Sequence, residues 1–420
     1  MNASHFTPKF TAALIGTGIA AGLVGIGFTH LLHAVQQLVF LGHWADGHIP
    51  FGDLVRQASP ERRFAALLAC GAVVGMLWTL LQKYGAPLLE VKAAVRQPEK
   101  NMPVKTTACH AVLQIVTVGM GSPLGREVAP REMSVALATP LSGCLKLPPE
   151  QKSVLLACAS GAGLAAVYNV PLAAAVFVLE TLLLSWDAAA LLAALLACGT
   201  AVLTVRLGLG DTVQYAHLPN LENAEIGAPL LAASAVAGVL VGFGADAFAR
   251  CNACLPKPDK KRWTMLPLAL ASFAVIGALS VRYPEILGNG KAGNQLSFAD
   301  NLDAADAAGL LAAKWLAVLL ATLAGAYGGR ITPSMMFGGL LAFLTAAAWN
   351  AAFPALPVSA GAAAFAGAAA FLGLAQNMRV TAIVFMLELS RLSTAYWLPV
   401  CLCMGMAMLA QHAWAGKKAA

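Results

Sequence analysis

Long stretches without a charged side chain constrain this chain most strongly. The segment from Phe10 to Ala45 contains no Asp, Glu, Lys or Arg, and about 20 apolar residues are enough to cross the hydrocarbon core of a bilayer. The sequence therefore predicts an all-α polytopic membrane protein. Further charge-free stretches lie at 64–82, 106–125, 153–179, 188–205, 226–245, 263–281, 331–378 and 392–416, and the stretch 307–327 is interrupted by Lys314 alone.

Composition excludes several other classes of protein. Apolar residues make up 59% of the chain and charged residues 11%, against roughly 45–50% and about 25% in soluble domains. The net charge is +7, but the basic residues do not form a stripe with interleaved aromatic residues. We therefore expect no nucleic-acid partner. The motif Cys251-x-x-Cys254 has no second cysteine pair nearby, and no serine lies in a nucleophile elbow. We therefore expect no metal site, no cofactor and no enzymatic activity.

Two of the apolar stretches are too irregular for one helix each. Asn169 and Pro171 interrupt 153–179, and Pro333, Pro354 and Pro357 fall in 331–378. Breaks at membrane depth are tolerated only where the freed backbone is buried in protein or lines a cavity. This pattern is typical of transporters and channels.

An internal repeat accompanies these breaks. The segment 169–180 (NVPLAAAVFVLE) matches 377–388 (NMRVTAIVFMLE) at an offset of 208 residues, and 125–130 (GREVAP) matches 328–333 (GGRITP) at 203. Two related halves with broken helices predict a single pseudo-symmetric transmembrane domain over 1–420 with its site between the halves. The halves are expected at about 10–207 and 226–415.

The loop charges predict the orientation in the membrane. The loop 208–225 carries three acidic residues and no Lys or Arg, whereas the loop 253–262 and the C-terminus are basic. By the positive-inside rule, the basic segments are cytoplasmic. The basic residues are Lys257, Lys260, Lys261, Arg262, Lys417 and Lys418.

Gly125, Arg126 and Glu127 place charges beside a predicted helix start within the membrane. A charge at the bilayer centre costs about 2.5–3.5 kcal/mol on insertion scales, whereas a helix N-terminus attracts anions through unpaired N–H groups. Two interpretations stay open for Glu127. It is either a tethered carboxylate that occupies the place of an anion, or an ordinary capping acid paired with Arg126.

The second half supplies a matching segment, Gly328-Gly329-Arg330-Ile331-Thr332-Pro333, whose helix is predicted to start near Ile331. Two helix N-termini that converge from opposite halves would create a dehydrated anion site formed by backbone amides. The alternative for this segment is a glycine-rich packing corner.

These motifs together resemble the CLC family of chloride channels and chloride/proton exchangers. The segment 161–180 and the segment 381–388 resemble family signatures, and Gly125-Arg126-Glu127 resembles GREGP, with Val128 replacing the second glycine ahead of Pro130. The segment Gly328 to Pro333 resembles GGxFxP. The similarity runs from about Gly22 to Ala415.

The resemblance implies a CLC-like inverted repeat of broken and tilted helices in a bacterial inner membrane, assembled as a homodimer. It implies Glu127 as the gate, Gly125, Arg126, Pro130, Gly328, Gly329 and Pro333 as the supporting motif, and chloride contacts from backbone amides. Those amides belong to Glu127, Val128, Arg330 and Ile331.

Several positions depart from the family pattern. Ala86 replaces the serine expected to bind the central anion, and Thr181 stands where many exchangers carry a proton-relay glutamate. We also expect no terminal anion-binding tyrosine and no cytoplasmic regulatory (CBS) domain. Glu180 matches a structural glutamate, and its rotation of about 100° from Thr181 predicts that it faces a structural partner.

These departures favour channel-like or loosely coupled permeation of chloride, because the hydroxyl groups expected to close the inner barrier are missing. Three alternatives stay open. The first is stoichiometric chloride/proton exchange, in which protons are a second partner. The second is fluoride export, and the third is a role as a non-conducting partner subunit.

Overall fold

The computed structural model describes residues 6–45, 47, 49–216 and 218–416, without the side chains of 414–416. Lys417 and Lys418, which contribute to the predicted orientation, lie outside the described residues. Within the described ranges the regular structure is helical, and one isolated antiparallel bridge joins Gly125 to Gly329.

The first half contains ten α-helices within the described ranges. They are α1 (Pro8–Phe40), α2 (Phe51–Gln57), α3 (Pro60–Val73), α4 (Thr79–Tyr84), α5 (Val91–Arg96), α6 (Val104–Gly119), α7 (Val128–Cys144), α8 (Pro149–Tyr168), α9 (Pro171–Phe177) and α10 (Ala188–Leu209). Two π-helical segments, Val74–Trp78 and Val178–Leu183, continue α3 and α9.

The second half follows a short α11 (Pro219–Glu222). Its helices are α12 (Ala228–Ala253), α13 (Met265–Arg282), α14 (Lys291–Phe298), α15 (Ala304–Leu323), α16 (Ile331–Ala352), α17 (Ala360–Ala375), α18 (Arg379–Ser390) and α19 (Trp397–Gly416).

Eight helical segments of the described chain are long and apolar enough to cross a membrane. The prediction of an all-α polytopic membrane protein is therefore confirmed. The segments are Pro8–Phe40, Pro60–Tyr84, Ala188–Leu209, Ala228–Ala253, Met265–Arg282, Ala304–Leu323, Ile331–Ala352 and Thr394–Ala413.

Both predicted breaks occur where the sequence places them. Asn169 takes a left-handed conformation (φ 61°) between α8 and α9, and α16 ends at Ala352 before α17 begins at Ala360. A third break separates α17 from α18 at Asn377 (φ 52°). Asparagine suits these positions because it tolerates the left-handed region better than most side chains.

The two halves share packing as well as sequence. In the first half α1 packs against α7, α8 and α10, and in the second α12 packs against α16, α17 and α19. The glycines Gly121 (φ 103°) and Gly325 (φ 78°) adopt left-handed conformations at equivalent points before α7 and α16. The predicted pseudo-symmetric fold is confirmed, while the boundaries at about 10–207 and 226–415 stay a prediction.

The centre of the molecule is formed by α8 and α17, whose residues Val154–Tyr168 and Ala360–Leu374 are all buried. Helix α17 packs closely against α16 at two glycines. A methyl group at Gly338 would overlap the carbonyl oxygen of Gly367, and a methyl group at Gly367 would overlap that of Gly338. Small residues at such crossings let helix backbones approach in a membrane, where packing drives association.

Gly367→Ala is expected to destabilise the protein by about 1–3 kcal/mol, because the added methyl group overpacks the crossing of α16 and α17. Thermal unfolding in detergent micelles measures the effect. Gly27→Ala on the exposed face of α1, where an added Cβ meets no atom within 4 Å, is the control and should unfold no earlier than the native chain. Equal melting of the two variants would contradict the packing argument.

Candidate functional site

Two helix N-termini converge where the halves meet. The Gly125 N–H donates to the Gly329 carbonyl over 2.7 Å, and the Gly329 N–H donates back to the Gly125 carbonyl over 2.8 Å. Helix α7 begins three residues after Gly125, and α16 begins at Ile331, where the sequence predicts it. The bridge therefore fixes the start of one helix against the start of its counterpart.

Glu127 crosses from one half to the other. Its side chain is fully buried, and its Oε1 accepts a hydrogen bond of 2.8 Å from the Ile331 N–H. First-turn amides have no carbonyl partner within their own helix. The carboxylate therefore satisfies a first-turn amide of α16, at a helix N-terminus of the kind that attracts anions in general.

Glycine leaves room for this carboxylate in its observed position. A methyl group on either Gly125 or Gly329 would overlap the carboxylate of Glu127, and for each glycine the three atoms nearest to such a methyl group all belong to Glu127. The bridge residues thus form a cradle that fits the carboxylate because they have no side chain.

Two hydroxyl groups complete the surroundings of Glu127, and sequence reasoning did not select either as a site residue. The Tyr168 hydroxyl, at the end of α8, donates to Glu127 Oε2 over 3.1 Å and lies 2.9 Å from Thr332 Oγ1. Asn289 Nδ2 in turn donates to Thr332 Oγ1 over 3.5 Å. The available signals were the position of Tyr168 beside the Asn169 break and of Thr332 within the glycine motif.

The motif arginines point to other partners. Arg126 Nη2 donates to the Val167 carbonyl over 3.4 Å, and Arg330 Nη2 donates to Thr322 Oγ1 over 3.1 Å. Pro130 and Pro333 are buried in the first turns of α7 and α16. The Glu127 carboxylate is thus held by the Ile331 amide and the Tyr168 hydroxyl group, and within the described residues neither motif arginine donates a hydrogen bond to it.

The two positions that depart from the family pattern have local partners. Ala86 is exposed in the segment before α5, and its N–H donates to Thr106 Oγ1 over 3.1 Å. Thr181 is buried in the π-helical segment after α9, where its hydroxyl donates to the Phe177 carbonyl over 2.7 Å. Neither side chain supplies a protonatable group.

Glu180 faces a structural partner, as its helical rotation predicts. Its carboxylate accepts hydrogen bonds from the Val380 N–H (3.1 Å), the Thr381 N–H (2.7 Å) and the Thr381 hydroxyl (2.7 Å). The repeat extends this capping to Glu388, which accepts from the Leu172 N–H (3.0 Å) and the Ala173 N–H (2.7 Å). Each half therefore caps a broken helix of the other, a reciprocity that sequence reasoning missed.

Asp211 links the halves at the loop after α10. Its Oδ1 accepts hydrogen bonds from Arg391 Nη2 (2.5 Å) and from Asn169 Nδ2 (2.7 Å). Arg206 Nε lies 3.3 Å from the same oxygen. The Arg391 guanidinium and the Asn169 amide hold the pKa of the Asp211 carboxyl well below its ordinary value, at about 2. Asp211 consequently keeps its charge over the range in which anion transport is measured.

Comparison with known proteins identifies relatives of this architecture. Residues 63–412 match the family described as Voltage gated chloride channel. The voltage-gated ClC-type chloride channel ClcB of Citrobacter koseri is 28% identical over 363 residues, covering 81% of this chain and 82% of that protein. A putative chloride channel protein, ClcB-like, of Ralstonia nicotianae is 29% identical over 374 residues, covering 81% and 80%.

Solved structures share the fold. A slow cyanobacterial Cl⁻/H⁺ antiporter superimposes with a TM-score of 0.82 at 20% identity, covering 98% of this chain and 96% of that one. A CLC-type fluoride/proton antiporter superimposes with a TM-score of 0.74 at 21% identity, covering 96% and 95%.

Glu388→Gln is expected to lower the free energy of unfolding by about 1–3 kcal/mol, because the amide replaces one acceptor oxygen with a donor that faces the backbone N–H groups of α9. Unfolding in detergent measures the change. Glu90→Gln, an exposed acid before α5, is the matched control and should have no effect. A Glu388→Gln variant as stable as the native chain would show that the cap contributes little.

Proposed function

The chain belongs to the voltage-gated chloride channel family, and we propose on that premise that it passes chloride or a related small anion between α7 and α16 with Glu127 as the gate. One observation carries this proposal. A buried carboxylate is seated on the first-turn amide of α16, in the position that a mobile anion would occupy. The protein is a multi-pass membrane protein, and its proposed activity is transport rather than catalysis.

The amides of Glu127, Val128, Arg330 and Ile331 are the proposed anion ligands. Each helix N-terminus carries about half a positive charge from aligned peptide dipoles, and two such ends meet at the Gly125–Gly329 bridge. Amide donors attract an anion without a fixed cation that would hold it too tightly for release. The glycines at 125, 328 and 329 provide the space for that approach.

An asymmetry between the halves supports an anion position beside α7. Glu127 precedes α7 and reaches the N-terminus of α16, but the residue that precedes α16 is Arg330, whose guanidinium donates to Thr322. The second half thus supplies no equivalent carboxylate from this position to α7. The first amides of α7 are left for a mobile anion.

Protonation is the proposed event that opens the gate. A neutral carboxyl group loses most of its attraction to the Ile331 amide and to the positive end of α16. The side chain can then leave the cradle, and an anion can take its place. The Tyr168 hydroxyl opposes this release because it donates to the charged form.

We favour channel-like or loosely coupled permeation over strict exchange. Thr181 donates to a backbone carbonyl and Ala86 carries no hydroxyl group, so neither offers the proton relay or the central barrier of an exchanger. The likeness to a Cl⁻/H⁺ antiporter and to a fluoride/proton antiporter keeps proton-coupled transport as the second candidate. We place the loop 253–262 and the C-terminus on the cytoplasmic side of a bacterial inner membrane.

Glu127→Gln is expected to change the anion flux and to abolish the part of its pH dependence that comes from the gate, because the amide cannot gain a proton between pH 4 and 8. Chloride efflux from proteoliposomes at a series of pH values measures this. An unchanged flux at every pH would contradict the gate assignment.

Tyr168→Phe refines the same test. A hydrogen bond to a charged group is worth about 1.5–3 kcal/mol, so in this variant the Glu127 gate should open roughly ten to a hundred times more often. The same change in the Glu127→Gln background should have no effect on flux. Tyr84→Phe, at an exposed tyrosine, controls for loss of a hydroxyl group elsewhere.

A chloride gradient is expected to drive little uphill proton movement, since no protonatable side chain stands at position 181 and Glu180 is bonded to α18. Simultaneous recording of chloride and pH outside proteoliposomes tests this. Proton pumping at a fixed ratio to chloride would instead establish exchange, and its loss in Glu180→Gln would identify Glu180 as the relay.

A homodimer is expected through the apolar faces of 171–205 and 380–412, which leave large side chains exposed in the monomer. Single-molecule subunit counting in bilayers, together with the mass in mild detergent, should give two copies, whereas a monomer in both would refute this interface. The exposed residues include Leu172, Leu192, Leu203, Val380, Leu398 and Leu409.

A further inference from the structure

A second cluster of buried polar side chains lies between α6, α7 and the turn that precedes α16. His110 on α6 is 1% exposed, whereas the other histidines whose surroundings are described are partly or fully exposed. His110 Nδ1 lies 3.0 Å from Glu132 Oε2 on α7, and Gln114 Nε2 donates to the same oxygen over 2.9 Å. His110 and Glu132 are called the dyad below.

Three buried polar atoms around the dyad have no hydrogen-bond partner: His110 Nε2, Gln114 Oε1 and Trp78 Nε1. Buried polar atoms in folded proteins are nearly always paired, so an unpaired group needs an explanation. Trp78 closes the π-helical segment Val74–Trp78, and such segments occur frequently at functional sites. The cluster therefore has unused capacity to bind a proton or to form new hydrogen bonds.

Tyr327 connects the dyad to the anion site. Its ring centroid lies 4.6 Å from that of the His110 imidazole, and the next residue along the chain is Gly328. From there the chain passes through the bridge at Gly329 to Ile331, whose amide holds the Glu127 carboxylate. A movement of Tyr327 is thus transmitted directly to the proposed anion ligands.

Tyr327 also contacts the basic loop 254–264. Lys260 Nζ lies 3.2 Å from the Tyr327 hydroxyl and 4.3 Å from the ring centroid, and Gln82 Nε2 donates to the same hydroxyl over 3.2 Å. The dyad therefore lies on the side of the molecule that carries this loop.

The charged and titratable groups that face His110 are few. Helix α7 contributes Glu132, the turn before α16 contributes Tyr327, and the loop 254–264 contributes Lys260 through Tyr327. The π-helical segment and α4 contribute the neutral Trp78 and Gln82. The surface of α6 that faces α1 packs on apolar side chains. Arg131, next to Glu132, donates to Ser160 Oγ and lies over the Phe177 ring, and its positive charge interacts with both Glu132 and Glu127.

We propose that His110 and Glu132 form a second proton-binding site, separate from Glu127, which controls anion permeation through Tyr327. Imidazole is the side chain whose charge ordinarily changes between pH 5 and 8. A second proton would make His110 a cation beside the Tyr327 ring, which already contacts the Lys260 ammonium group. The proton on Nε2 would then have no hydrogen-bond acceptor among the described residues. Both effects favour displacement of Tyr327 and of the glycine turn that follows it.

This inference rests on the proposed anion permeation. Its test is made in a variant without the Glu127 gate. Chloride efflux from proteoliposomes of the full chain is measured from pH 5 to pH 8 with Glu127→Gln as the background. We expect a change of about fivefold or more across this range, the lower end of typical coupling between two sites. Glu127→Gln/Glu132→Gln and Glu127→Gln/His110→Gln should each flatten the profile.

Two further variants distinguish proton binding from simple support of the fold. Glu127→Gln/His30→Gln changes an exposed histidine on α1 and should retain the pH step. Glu127→Gln/Tyr327→Leu should lose the step, because it removes the connection to the glycine turn. Should His110→Gln fail to fold, the isosteric Glu132→Gln, at a partly exposed carboxylate, still decides the question.

The outcomes separate this inference from the proposed function. A flat profile in the Glu127→Gln background, a step that survives both dyad variants, or a dyad effect of equal size at every pH would each overturn the second proton site. Absence of anion flux in the native chain and in every variant would overturn the proposed function itself, and this inference with it.

Discussion

Broken helices within a membrane need partners for the backbone groups that they expose, because lipid offers no hydrogen bonds. In this protein acidic side chains from the opposite half supply three of these partners. Glu127 binds the first amide of α16, Glu180 binds the start of α18, and Glu388 binds the start of α9. The fold of the two halves and the position of the candidate site both follow from this exchange.

The three caps differ in what surrounds them. Glu180 and Glu388 each accept two backbone amides, and Glu180 accepts the Thr381 hydroxyl as well, so their carboxylates are firmly bonded. Glu127 accepts one amide and one phenolic hydroxyl in a cradle of glycines. Glu127 thus accepts one backbone amide where Glu180 and Glu388 each accept two, and no side chain at Gly125 or Gly329 encloses it, which supports the proposal that a mobile ion replaces this cap.

Much of the fold could be predicted from the sequence because helix breaks are local properties. Asn169 and Pro171 interrupt an apolar run by themselves, and the repeat at 377–388 transfers that break to the second half. The start of α16 at Ile331 likewise follows from its glycines. Spacing also placed Glu127 beside a helix start.

What the sequence could not provide are the partners that close the site. Tyr168 lies 41 residues from Glu127 and Thr332 lies 164 residues from Tyr168, so no local pattern joins them. His110 likewise sits in a charge-free stretch that gives no sign of Glu132. Lys314, visible only as an interruption of an apolar run, is fully buried and donates to the carbonyls of Ile286 and Gly288, which fixes the loop that carries Asn289.

The reciprocal caps at Glu180 and Glu388 also have a mechanical consequence. Because each half caps a helix end of the other, a rigid rotation of one half would break four hydrogen bonds between backbone amides and these carboxylates at once. Rotation of one half against the other is thereby opposed, whereas local movements near the Gly125–Gly329 bridge leave these four hydrogen bonds intact. With the helix ends held in this way, the proposed ion passage would depend on local movements around the bridge and not on rotation of the halves.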